Sequence, residues 1–297
     1  MRAWPAVLVL LAAACGAKQP AVPAPAARPV RPVRVMSMNQ CTDQLVLALL
    51  PPKRIASVTW LSRDAGGSLM AAEAGRVAVN HGLAEEVLQQ KPDLVVAGAF
   101  TTPALRGMLR RLGYPMLEVP PAGSIEEVRA ITRQVAAALG EVRRGEALIA
   151  RMDRQLADLA RDPVPPVPVV AWDRTGFSAG EGTLYDAILS AAGARNLIRA
   201  PATLSYRKPD VELLLQADPV LLVQGSMDPG SASVSDDAIR HRLVERFWGE
   251  RTLVIPQAYY ICGTPMLGDA AVRLRQELHE AAASRPRPPI PASELSS

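Results

Sequence analysis

Few residues in this chain are equipped for chemistry, and their spacing limits what that chemistry is. Cys41 stands in "SMNQCTDQ", at a turn between an apolar strand and a helix, and Cys262 stands far downstream in "YYICGTP". Thiols at two such turns admit three states. They contact a ligand's metal, they form a disulfide if their Cα atoms come within about 7 Å, or they are small buried fillers. A thiol enzyme would also need a general acid or base, and Asp43 is the only obvious one near Cys41 in sequence. The histidines are His81, His241 and His279. A bare transition-metal site takes several His plus a carboxylate, and only His81, beside Gly82, falls at a loop near a plausible cleft. There is no Walker loop and no H-E-x-x-H. "GEGTLY" is a partial glycine-rich match that lacks the third Gly.

The elements that must position these residues begin after an export segment. Residues 1–15 carry one Arg, an apolar core of signal-peptide length and small residues. The run is too short for a stable membrane anchor. Residues 16–32 are a Pro/Ala linker. "LAAAC" resembles a bacterial lipobox with Cys15 as the lipidated residue, although Ala12 stands where Leu or Val is preferred; cleavage after Ala14 or Ala17 is the alternative. Both routes predict a periplasmic or exported cell-envelope protein, and the first adds a lipid anchor. The net charge is +4, with Arg scattered rather than clustered among aromatics. That pattern reads as a solvated surface, not a nucleic-acid site.

An internal repeat organises the rest. "LAEEVLQQKPDLVVAGA" (83–99) and "DVELLLQADPVLLVQGS" (210–226) share one spacing: Glu85, Pro92 and Gly98 match Glu212, Pro219 and Gly225. Each reads as a short amphipathic helix, a Pro stop and a buried strand. A strand and helix precede each copy, and a helix and strand follow it. Strands alternating with helices predict parallel α/β layers. The expected fold is therefore two Rossmann-like lobes, 33–139 and 167–283. One long rigid helix within 140–162 joins them, and a ligand cleft lies between. The tail 284–297 has no periodicity and is expected to be disordered.

This pattern resembles the periplasmic-binding proteins of iron–siderophore and cobalamin ABC importers over Val33 to Ala283. The pieces that carry the likeness are "RVMSMNQCTDQLVLALL", "RIASVTWLSRD", "GLAEEVLQQKPDLVVAG", "GFSAGEGTL" and "YYICGTP". The resemblance implies a substrate-binding component rather than an enzyme. It implies cargo held between the lobes, a cobalamin or other corrinoid or an iron–siderophore chelate. The loaded monomer would then dock on a permease coupled to its ATPase, with no cofactor of its own.

Ligands of open α/β sheets bind outside the carboxyl ends of the strands. Those ends nominate Asn39, Cys41, Trp60, Arg63, Trp172, Phe177, Tyr206, Tyr260 and Cys262, with Tyr259 beside them. Aromatic residues are only 4% of the chain, so several rings at these ends suit a flat or macrocyclic ligand. About half of them are expected to face the cleft, the rest being lobe core. Tyr206 looks like the position where cobalamin binders carry a cleft aromatic. Arg63 either pairs with an anionic group of the ligand or is solvated. Glu85 and Glu212 suit helix starts electrostatically, and in the resemblance they match acidic residues that dock on a permease. For the cysteines, two reduced thiols lining the pocket is the preferred reading, because a disulfide would clamp the cleft; buried fillers are the alternative. The rivals from other classes are a chelatase-like or thiol-redox enzyme on the same two lobes, and a sensory binding protein.

Overall fold

The computed structural model describes residues 31–173, 176–177, 179–198, 211–226 and 242–284; of Asp173, Gly176, Phe177 and Ser226 it describes the backbone alone. The expected signal segment with Cys15, the linker up to Val30, Tyr206, His241 and the tail beyond Ser284 lie outside the described residues.

The first lobe alternates strands and helices: β1 (Val35–Ser37), α1 (Gln40–Leu49), β2 (Ile55–Thr59), α2 (Ala71–Ala74), β3 (Val79–Asn80), α3 (Ala84–Gln90), β4 (Leu94–Gly98), α4 (Pro103–Arg111), β5 (Met116–Val119) and α5 (Ile125–Leu139). Its parallel sheet runs β3-β2-β1-β4-β5. After α6 (Val142–Arg161), the second lobe contains β6 (Val167–Asp173), β7 (Gly176–Phe177), α7 (Leu184–Ala191), β8 (Ala194–Asn196), α8 (Val211–Ala217), β9 (Leu221–Ser226), α9 (Arg242–Trp248), β10 (Thr252–Pro256) and α10 (Leu267–Ser284). Here β6 is central, parallel to β8 and β9, with β10 beyond β9 and β7 antiparallel to β6.

The two sheets superimpose in order. The set β2-β1-β4-β5 corresponds to β8-β6-β9-β10, so the repeat seen in sequence extends to topology. It extends to the backbone as well. Lys91 (φ 49°) and Asp218 (φ 44°) are the non-glycine residues of positive φ among those described. Each precedes the proline that ends its helix, at the same position of the repeat. Proline disfavours the right-handed helical region for the residue before it, and here that residue closes the helix in the left-handed region instead.

Side-chain parity divides each lobe into layers. On β1 and β4, Val35 and Val96 pack with Leu45 and Leu49 of α1 and Val135 and Leu139 of α5. Their neighbours Met36 and Val95 pack on the opposite face with Val87 and Leu109. The second lobe repeats this. Val169, Ala171 and Val223 face α7 and α10, whereas Val170, Trp172 and Leu222 face Leu214 of α8 and Phe247 and Trp248 of α9. Burial on both faces is what uninterrupted apolar strands require.

α6 is the 20-residue helix expected between the lobes. It is fastened to the first lobe by Arg129–Asp153 (2.9 Å) and Arg133–Glu146 (2.8 Å), and to the second by Arg151–Asp269 (2.6 Å) and Gln155–Asp269 (2.7 Å). Exposed ion pairs of this kind contribute little each. The close approach matters more. A Cβ on Gly145 would strike Ala136 of α5, and one on Gly268 would strike Gln155 and the Met152 backbone. Both helix contacts therefore depend on glycine.

Candidate ligand-binding cleft

The carboxyl ends of the two sheets face a cavity of about 840 Å³. The first lobe lines it with Met38–Cys41, Thr59–Leu61, His81–Gly82, Phe100 and Pro121–Gly123; the second contributes Gly182–Tyr185 and Tyr260–Ile261. Asn39 shapes the first wall. Its Oδ1 accepts from the amide of Cys41 at 3.0 Å, which caps α1 and turns the chain into the helix.

Of the aromatic residues expected at the strand ends, Trp60 and Tyr260 line the cavity. Trp60 is 53% exposed. Trp172 does not line it. At 2% exposure it belongs to the core between β6 and helices α8 and α9. Its parity along β6 decides this, since it shares a face with Val170. Tyr259 is also core, its phenol bonded to Glu277 (2.9 Å); burial, then that carboxylate, pushes its pKa up to about 12. The Phe177 side chain and Tyr206 lie outside the described residues. Two rings went unnoticed in the sequence. Phe100, just past β4, is 80% exposed on the rim. Tyr185 starts α7 and stacks on Tyr260, with centroids 3.9 Å apart and planes 6° off parallel. The Tyr260 ring lies over Gly225, where any Cβ would collide with the phenol. The repeat glycine thus makes room for a flat tyrosine pair in the cleft.

His81 and Glu86 form a second feature of the wall. The His81 Nδ1 lies 3.3 Å from Glu86 Oε1, and Glu86 also accepts the amides of His81 (2.8 Å) and Leu83 (3.0 Å). Partial burial works against the charge on Glu86, but these donors outweigh it and hold its carboxyl below the usual value. A carboxylate on Nδ1 favours the Nδ1–H tautomer and leaves Nε2 as the electron-pair donor. Among the described residues no group of three or more His, Cys, Asp or Glu could hold a bare ion.

Behind the first wall lies a buried carboxylate. Asp43 is fully buried, and its Oδ2 accepts from the Thr59 amide (3.0 Å) and hydroxyl (2.5 Å). Its Oδ1 has no hydrogen-bond partner. Desolvation raises its pKa to about 7, against the Thr59 hydrogen bonds, which lower it. Asp43 thus fastens the start of the turn that carries Trp60.

The cysteines require a correction. The preferred reading of two reduced thiols fails, because Cys41 and Cys262 are joined in a disulfide, with Cα atoms 4.9 Å apart. The first turn of α1 and the loop after β10 meet at the floor of the cleft, which places both residues within bonding reach. Cys41 still lines the cavity, whereas Cys262 is 1% exposed. A second link lies close by in sequence, the Ala258 amide bonded to the Gly66 carbonyl at 2.9 Å.

Arg63 turns away from the role of anion partner. Its guanidinium donates to the carbonyls of Ala74 (3.4 Å), at the end of α2, and Val77 (2.9 Å), just after it, and it does not line the cavity. Glu85 and Glu212 are both exposed, each in the first turn of its repeat helix.

Comparison with known proteins agrees with this architecture. The model of the family described as "Periplasmic binding protein" matches residues 35–247. A search of curated proteins gave no match. Among solved structures, a periplasmic heme-binding protein from Roseiflexus sp. RS-1 is similar at 22% identity and a TM-score of 0.66, over 84% of this chain and 98% of that one. One from Pseudomonas aeruginosa gives 22% and 0.63, over 87% and 95%. The periplasmic vitamin B12-binding protein of Vibrio cholerae gives 17% and 0.59, over 84% and 98%. Among the described residues no helix is long and apolar enough to cross a membrane.

Proposed function

Given that this chain belongs to the periplasmic binding protein family, we propose that it captures a flat metal–tetrapyrrole chelate between its lobes and delivers it to an ABC permease. The observation that carries this reading is the braced imidazole. His81 presents Nε2 on a wall of a cavity that also holds Trp60, Phe100 and the stacked Tyr185–Tyr260 pair. One donor nitrogen suits a metal whose other positions its own chelator fills, and flat rings suit the chelator. Solved structures of similar fold described as a heme-binding and a vitamin B12-binding periplasmic protein support an iron porphyrin or corrinoid as cargo. A strongly anionic iron–siderophore fits less well, since the described lining holds no Lys or Arg.

The reading is tested by titrating the purified protein with hemin and, separately, with a cobalt corrinoid. At least one is expected to bind at micromolar or tighter concentration, quenching Trp60 fluorescence. His81→Ala is expected to weaken binding about tenfold or more and to shift the metal-centred absorption band. Absence of binding to both, with the folded protein intact, would overturn the proposal.

Docking on the permease is assigned to Glu85 and Glu212. Their exposure on equivalent helices gives one carboxylate per lobe, which matches a two-subunit channel. In the double variant Glu85→Ala/Glu212→Ala, cargo affinity is expected to stay within about twofold while uptake in reconstituted vesicles is lost. Normal transport by that variant would remove the docking role.

A further inference from the structure

The main cleft does not end at the disulfide. A smaller cavity of about 120 Å³ continues from it, sharing Asn39, Cys41, Phe100, Pro121, Ala122 and Ile261 with the main lining. Its own walls are mostly apolar, including Leu45, Val119 and Ile131, with Ala99 at its edge. Residues on both sides of Cys262 take part, Ile261 and Gly263, so the disulfide ties together the two walls of this side pocket. A volume of 120 Å³ equals about four water molecules at the liquid share of about 30 Å³ each. Walls of this chemistry give water few partners and gain from contact with carbon. The space accommodates a two- to four-carbon branch.

We propose that this side pocket seats one short alkyl or vinyl arm at the edge of the cargo, and that it discriminates between chelates differing only in that arm. The proposal rests on the tetrapyrrole reading above and specifies its substituents. Three features support it: continuity with the main cleft, the match of volume to a short arm, and a lining rich in apolar side chains. Ala99 offers a way to close the pocket. It lines the side pocket and not the main cavity, and it is exposed, so a larger residue there leaves both lobe cores untouched.

The test compares three ferric porphyrins that differ only at two edge positions: vinyl in protoporphyrin IX, ethyl in mesoporphyrin and hydrogen in deuteroporphyrin. Burying a CH₂ group is worth about fourfold in affinity, so a two-carbon arm is worth roughly tenfold. The wild type is expected to bind the vinyl and ethyl compounds roughly tenfold more tightly than the hydrogen compound. Ala99→Leu is expected to abolish that preference, bringing the vinyl and ethyl compounds down to about the affinity of the hydrogen compound. Equal affinity of the wild type for all three overturns the side-pocket role while leaving the cargo class standing. So does a preference that survives Ala99→Leu in a protein of unchanged circular dichroism. Binding of none of the three overturns the side pocket together with the iron-porphyrin form of the cargo.

Discussion

Replacing both bonded cysteines, as Cys41→Ala/Cys262→Ala, is expected to lower the unfolding free energy by about 2–5 kcal/mol. The bond spans 221 residues of sequence, so in the unfolded chain it closes most of the folded body into one loop. Loop-closure entropy grows with the logarithm of loop length, which places this bond toward the upper end of the usual range. Alanine is the better probe at position 262, because a serine hydroxyl in a site 1% exposed would add its own desolvation cost. Denaturant unfolding with and without reductant gives an arm free of mutation. Reductant is expected to move the wild type to the midpoint of the double variant and to leave the variant where it is. If reductant leaves the wild-type midpoint unchanged, the bond contributes nothing to the fold. The same bond constrains motion. The cleft floor is tied covalently, and α6 packs on helices of both lobes, so the lobes are joined at two places.

The disulfide also marks where sequence reading runs out. Nothing in the spacing of Cys41 and Cys262 encodes a distance. Both were placed at strand ends, yet their meeting depends on how two lobes come together, which local pattern does not carry. The lobes themselves were legible because their cause is local. A helix stopped by Pro and followed by an apolar strand recurs at fixed spacing, and the positive φ of Lys91 and Asp218 is the backbone counterpart of that spacing. The inter-lobe helix was equally legible, since its apolar stripe and lack of prolines are properties of its own residues.

The cleft was legible in part, and the misses have physical reasons. Trp172 was nominated by position at a strand end, but period-2 alternation from Val170 already assigned it to the helix-covered face. Tyr185 sits in "GTLYDAILSAAG", where every apolar residue reads as core; it is core, but it also floors the cleft by stacking on Tyr260. The signal for that stack was Gly225, whose missing side chain admits the phenol. Phe100 had a plainer signal, a large ring directly after the end of β4. Arg63 shows the limit of residue type as a guide, because backbone carbonyls near α2 satisfy its guanidinium. The partner of His81 was likewise hidden, since Glu86 reads as an ordinary acidic helix start until its bonds back to His81 are seen.

Asp43→Asn is expected to change how stability depends on pH, by up to about 4 kcal/mol. The folded-state pKa is raised from 3.8 to about 7, chiefly by desolvation. A carboxyl whose pKa is higher in the folded state binds its proton more tightly there. Between pH 4 and 7 the folded protein therefore holds a proton that the unfolded chain has lost. Stability falls as pH rises through this window and levels off above about pH 7, where both states are ionised. The amide substitute keeps an oxygen for the Thr59 amide and hydroxyl, now contacted through Oδ2, and it never charges. Its nitrogen takes the place of Oδ1, which has no partner to lose, and a neutral group without a partner costs less there than half a carboxylate charge. Urea unfolding at pH 5 and pH 8 separates the two proteins. At pH 5, a little over one unit above the unfolded-state value of 3.8, the asparagine variant is expected to lead by under about 2 kcal/mol. At pH 8 the asparagine variant is expected to be the more stable, and the wild-type slope between the two values is expected to flatten. Parallel pH profiles for the two proteins would show that Asp43 does not titrate in this range. The same carboxylate holds Thr59, next to Trp60 in the cleft wall, so the ionisation that weakens the lobe also acts on the turn that carries Trp60.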